Sequence, residues 1–171
     1  MIIATDSPVR ADVRALLDEH LADMHATSPP KSVHALDAAA LLAPGVTFLT
    51  ARAPDGLLLG CGALSELAPS AAGAPGHGEL KSMRTARTAR GRGVATAVLA
   101  RLLGLARERG YARVSLETGS QDFFAPARRL YARHGFVECG PFGSYVPDPH
   151  SVFMTLELAP VSTSSPARAG R

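Results

Sequence analysis

Residues 88 to 117, TARGRGVATAVLARLLGLARERGYARVSLE, set two glycines among arginines directly ahead of a helical apolar period and a second apolar run. Val94, Ala97, Val98, Leu102, Leu105 and Ala106 recur at helical spacing, and Gly110 is placed as a C-terminal cap. The preceding GELKSMRT alternates polar and apolar residues as a strand does, and ARVSLET reads as another strand. Strand, turn, helix and strand in that order demand a parallel crossover. The glycine turn then lies at the carboxyl end of a strand and the amino end of a helix, where free N–H groups and the helix dipole favour an anion. Gly91 and Gly93 let the backbone approach a bulky group, and Arg84, Arg87, Arg90 and Arg92 add positive charge. The turn is suited to phosphate.

The rest of the chain supplies the sheet around that crossover. MIIAT is a short strand; Asp6 and Ser7 can cap a helix with Pro8 in its first turn and Val9, Val13, Leu16, Leu17, Leu21 and Met24 on its buried face. A second short helix is predicted around residues 35 to 43. VTFLTAR and LLLGCGALSEL form a hairpin through PDG, and after the crossover come a helix from Phe124 to His134 and the strands FVECG and SVFMTLEL. The expected architecture is an α/β (α+β) domain over residues 1–159, a mixed and mostly antiparallel sheet of six to seven strands with about four helices. PVSTSSPARAGR lacks an apolar period, so residues 160–171 are expected to form a disordered tail.

Composition narrows the functional classes. A net charge of +3 and 46% hydrophobic residues in 171 are globular values, and with 5% aromatic residues there is neither a basic stripe nor a stacking set for nucleic acid. Cys61 and Cys139 stand far apart with no CxxC pair or zinc spacing, and are expected to be buried thiols in a reducing cytoplasm, with no metal. No apolar run approaches about 20 residues, and the first residues lack the order of a signal peptide, so a soluble, cytoplasmic protein without a membrane partner is expected.

Three kinds of phosphate turn compete for Gly91 and Gly93. A P-loop needs Lys and then Ser or Thr after its last glycine, where Val94 and Ala95 stand. A dinucleotide turn is closer, since Glu117 lies about where a ribose-binding acid would, but Thr96 replaces the third glycine and Ala86 to Arg90 lengthen the turn. The third fits better. Arg90, Gly91, Arg92, Gly93, Val94 and Ala95 match the R/Q-x-x-G-x-G/A signature, ELKSMRT precedes it, and APARRLYARHGF follows as an A-x-x-L-Y-x-x-x-G-F helix. In these three motifs, in order, the chain resembles the GCN5-related N-acetyltransferases (GNAT), over about residues 2 to 158, and its closing hairpin resembles their small-molecule branch.

That resemblance implies a site for acetyl-CoA as co-substrate. It places the pyrophosphate on Arg90 to Thr96, and the pantetheine arm on the backbones of Met83 and Thr85 beside Arg84, with the Met83 N–H as oxyanion donor. It makes Tyr131 the acid for the departing thiolate and Glu79 the base, directly or through water, with His77 and Glu117 as alternatives. Phe124 stands where many relatives carry Asn, so that polar contact to the coenzyme is either missing or supplied by Ser120 or Gln121. His25, Ser32 and His34, with Glu117, are candidates for the acceptor pocket. The expected reaction is direct acetylation of a primary amine of a small molecule or amino acid by a monomer or homodimer. Acetylation of a protein or peptide amine, or acyl-CoA sensing without catalysis, are the alternatives.

Overall fold

The computed structural model describes residues 1–32, 38–68 and 72–159. Seven strands, β1 (Ile2–Thr5), β2 (Val46–Arg52), β3 (Leu58–Glu66), β4 (Gly76–Thr85), β5 (Tyr111–Gly119), β6 (Val137–Cys139) and β7 (Ser151–Glu157), form one sheet in the order β1-β2-β3-β4-β5-β7-β6. Among the described residues only β4 and β5 pair in parallel. Among the described residues the α-helices are α1 (Ala11–Thr27), α2 (Val94–Glu108) and α3 (Ala125–Arg133). α2 is the crossover between β4 and β5 that the alternation and the helical period predict. No helix among the described residues is long and apolar enough to cross a membrane.

The sheet buries both faces. On one, Val94, Val98, Leu99, Leu102 and Ala106 of α2 pack against Leu64, Leu80, Val114 and Leu116 of the strands. Val98, Leu99 and Leu102 are wholly buried, each contributing about 1.5–3 kcal/mol by transfer from water. α2 sits this close because β3 offers it glycines: a Cβ on Gly60 would lie 2.7 Å from the Arg84 carbonyl and 2.9 Å from Val94 Cγ1. On the other face Val13, Leu16 and Leu17 of α1 cover Phe48, Cys61 and Ala63.

Several local expectations change. α1 begins at Ala11 with no side-chain cap, because Asp6 accepts instead from the Ser7 N–H, Thr50 and Arg52, tying the first loop to β2. Pro8 and Val9 therefore lie in a turn, with Val9 exposed and Leu21 only half-buried. The predicted helix at 35 to 43 falls partly outside the described residues; within them there is a single 3-10 turn at Ala40–Leu42. Cys61 is buried but Cys139, on the edge strand β6, is only partly so. The tail expected at residues 160–171 also lies outside the described residues.

Candidate active site

A wedge opens between the two parallel strands. Pairing of β4 with β5 runs from Gly76↔Tyr111 to Leu80↔Leu116 and stops, although β4 continues to Thr85 and β5, held by β7, to Gly119. The cause is a bulge on β4. Cys61 pairs with Arg84 and Ala63 with Lys81, so Gly62 faces both Ser82 and Met83, and Ser82 takes φ 51°, a conformation side chains rarely adopt. Gly62 makes room for this: a Cβ there would lie 2.4 Å from Met83 Sδ. Past the bulge, the Ala86 N–H donates to the Leu59 carbonyl, and alternation along the strand turns the N–H groups of Thr85 and Met83 toward the open side. This is the free edge that an extended ligand can join.

At the carboxyl end of β4 the glycine turn leads into α2. Gly91 (φ 73°) and Gly93 (φ 77°) both take left-handed conformations, and the space where their side chains would stand is open. No side chain caps α2, and its first bond is from the Ala97 N–H to the Gly93 carbonyl, so the N–H groups of Val94, Ala95 and Thr96 have no acceptor within the helix. Arg90 and Arg92 are exposed beside them. Arg84 and Arg87, in contrast, do not lend the turn free charge. The Arg84 guanidinium is buried against Glu19 and Asp23 of α1, and Arg87 bridges the same two carboxylates. Hydrogen bonding to Arg84 holds both carboxyls below their ordinary range.

A cavity of about 90 Å³ occupies the wedge. Its walls are Leu80 to Met83 on β4, Glu117 to Gly119 on β5, Phe124, Ala127 and Tyr131 around α3, His20 and Met24 on α1, and Tyr145 from the β6–β7 loop. Tyr131 is buried, and its hydroxyl has no hydrogen-bond partner among the described residues. Burial first, and the Glu117 carboxylate second, push that phenol well above its usual range, so it enters any reaction protonated. Phe124 packs directly on Gly119, where a Cβ would come 2.2 Å from its Cδ2. The polar residues expected to compensate for Phe124 are engaged elsewhere: Ser120 donates to the Pro149 carbonyl, and Gln121 meets Ser28 and His150.

The expected acceptor residues are only partly brought together. Glu117 lines the cavity and accepts from Ser151 Oγ at 2.7 Å. His25 is exposed and Ser32 buried, neither on the cavity wall, and His34 lies outside the described residues. α1 instead presents His20 and Met24, one turn apart, to the cavity. His20 is held neutral, its pKa lowered to about 4 by burial and by Arg84, with Asp23 opposing. Glu79 is buried behind the wall, where it accepts from the Tyr145 hydroxyl at 2.6 Å and pairs with Lys81 at 2.9 Å. His77 hydrogen-bonds Ser115 away from the cavity. His20, Ser82 and Tyr145 escape sequence reasoning; a histidine one turn before the helix's last apolar contact is the only trace.

The comparisons agree with this geometry. The acetyltransferase (GNAT) family model matches residues 13–136. An uncharacterized N-acetyltransferase, YsnE of Bacillus subtilis, is 47% identical over 158 residues, covering 92% of this chain and all of the relative. An enzyme of Azospirillum brasilense named IAA acetyltransferase is 40% identical, covering 91% of this chain and 97% of its own. Among solved structures, a Klebsiella pneumoniae protein assigned as an acyl-CoA N-acyltransferase superposes with a TM-score of 0.73 at 31% identity, covering 92% of this chain and 97% of that one. A seven-stranded sheet split between its parallel strands, with a glycine turn at the mouth of the split, thus places this chain in the GNAT acetyltransferase family, as an acyltransferase.

Proposed function

We propose that this protein moves the acetyl group of acetyl-CoA directly to the primary amine of a small molecule or amino acid. The observation that carries the reading is the wedge itself: the unpaired edge of β4 runs from the glycine turn into a cavity that the buried Tyr131 lines. The N–H groups at the start of α2, with Arg90 and Arg92, suit a pyrophosphate, and those of Thr85 and Met83 suit the amide-bearing arm that follows it. Val94, Ala95 and Thr96 then contribute backbone rather than side chains.

At the reacting end the Met83 N–H stabilises negative charge developing on the thioester oxygen. The amine nitrogen bonds to the carbonyl carbon, the carbon–sulfur bond breaks with its electron pair on sulfur, Tyr131 gives its proton to that sulfur, and the proton the nitrogen sheds on becoming an amide restores the phenol. The ammonium proton must leave before attack. His20, neutral, and Glu117, a carboxylate, are the wall groups with a lone pair for it. Transfer needs no acetylated enzyme, since Cys61 is buried with its thiol pushed up to about 12 and Cys139 stands on the edge strand β6; neither lines the cavity. A small acceptor fits the cavity's size, and the name of the Azospirillum relative points to a small molecule too.

Thiol release from acetyl-CoA, followed across a panel of small amines, amino acids and peptides, tests this. Release with small amines or amino acids is expected. Release with peptide or protein amines alone, or tight acetyl-CoA binding with no release for any amine, overturns it.

A further inference from the structure

Tyr145 is the one cavity wall contributed by the β6–β7 loop, and it is held there by charge. Its hydroxyl donates to Glu79 Oε1 at 2.6 Å and accepts from Lys81 Nζ at 2.5 Å, while Lys81 and Glu79 themselves pair at 2.9 Å. Its ring meets Phe142 edge-on at 5.1 Å and Phe153 at 5.3 Å, and both of those pack on each other. Glu79 and Lys81 lie two residues apart on one face of β4, so a single strand fixes both partners of the phenol. The result is a rigid aromatic wall assembled from residues more than sixty positions apart.

Its place in the wedge assigns it to the acceptor. The glycine turn follows the carboxyl end of β4, and a coenzyme anchored there enters from that side. Lys81 and Tyr145 lie at the opposite, closed end, where β4 and β5 have just ceased to pair. Met24 of α1 adds an apolar side chain to the same cavity. Glu79 does not reach the cavity wall, and its Oε1 already holds two donors. Resting on the acetyl-transfer reading, we propose that Tyr145 selects the acceptor, its ring packing against a flat apolar group borne by the amine, and that Glu79 and Lys81 are positioning residues for it. Glu79 is then not the base.

The experiment measures kcat and KM for a series of amines, from small aliphatic to aryl-bearing, in the parent, Tyr145→Leu, Tyr145→Phe, Glu79→Gln and the Glu79→Gln/Tyr145→Phe double variant. Tyr145→Leu should raise KM for aryl-bearing amines roughly tenfold or more relative to KM for aliphatic amines, with kcat moved less, as loss of a wall in uniform binding requires. Tyr145→Phe and Glu79→Gln should each raise the same KM about three- to tenfold, and the double variant no further, because both act on the same charge-assisted hydrogen bond, one by removing its donor and the other by removing its charge. The pH profile of kcat/KM should keep its acid limb in Glu79→Gln. Loss of that limb, a fall in kcat above about a hundredfold in Glu79→Gln alone, or an unchanged ranking of amines in Tyr145→Leu or, if that variant does not fold, unchanged acceptor KM in Tyr145→Phe, overturns the proposal. A parent that releases thiol with no amine sinks the acetyl-transfer reading, and this inference with it; an active parent with unchanged variants sinks the inference alone.

Discussion

The Arg84 guanidinium on β4 lies 2.5 Å from the Asp23 carboxylate on α1, and this ion pair pins the helix that carries His20 and Met24 over the open strand edge. Arg84 directly follows the Ser82–Met83 bulge, so the same irregularity that frees the Met83 N–H also aims the guanidinium at α1. The wedge and its lid helix therefore share one local cause.

Removing half of that pair leaves a buried cation short of a partner. Asp23→Asn should lower stability by roughly 1.5–3 kcal/mol, the range for a charge-assisted bond, whereas Glu19→Gln, at a more exposed carboxylate, should cost about 1 kcal/mol or less. Urea unfolding of the two variants checks the order. Equal losses would mean that α1 is held by its apolar face alone.

At Gly93 the conformational and the steric demands separate. With φ at 77° and nothing beside it, Gly93→Ala should cost about 1–2 kcal/mol from the left-handed backbone alone. Gly93→Asn tolerates that conformation but fills the open space, so it should stay near parental stability yet bind acetyl-CoA much more weakly. Calorimetric titration of folded Gly93→Asn with acetyl-CoA decides it; parental affinity would place the pyrophosphate elsewhere.

The fold was legible where physics is local. Alternation marked β4, helical spacing marked α2, and two glycines marked the turn, because each depends on neighbours a few residues away. The caps were not: Asp6 could serve α1 by sequence, but Arg52 and Thr50, over forty positions on, claim it. The same limit governs the site. Tyr131 stood out through its motif, while Tyr145 acquires meaning only when the loop folds onto Glu79 and Lys81, and His20 only when Arg84 docks α1.

Two partly buried histidines should give the protein an acid-sensitive stability. Burial lowers both His20 and His77 to about 4, with Arg84 and Arg113 respectively adding to the shift, so the unfolded chain binds their protons more readily. Stability gained by keeping them neutral is complete above about pH 6.5 and is lost progressively as pH falls toward about 4. Melting temperatures across that window should fall less steeply in His20→Gln, and less again when His77→Gln is added. The carboxylates held by Arg84 act lower, their contribution present above the ordinary carboxylate range and lost as pH falls through their depressed values. A slope between pH 6.5 and 4 that neither substitution changes would mean the imidazoles are hydrated in solution.

Tyr131 offers the sharpest test of the chemistry. Its phenol is buried, protonated and without a hydrogen-bond partner among the described residues, and its ring lies 5.7 Å from that of Phe136, a contact that Phe preserves. Tyr131→Phe thus removes a hydroxyl and little else. An acid acts on the sulfur as the carbon–sulfur bond breaks, so its loss should lower kcat by about 10²- to 10⁴-fold while the affinity for acetyl-CoA changes little. Stability should hold or rise slightly, since a buried polar group that lacked a protein partner is gone. A thiol-release assay with a good amine, paired with a thermal melt, separates the two effects. Turnover within about twofold of the parent would make Tyr131 a packing residue and leave water to protonate the thiolate.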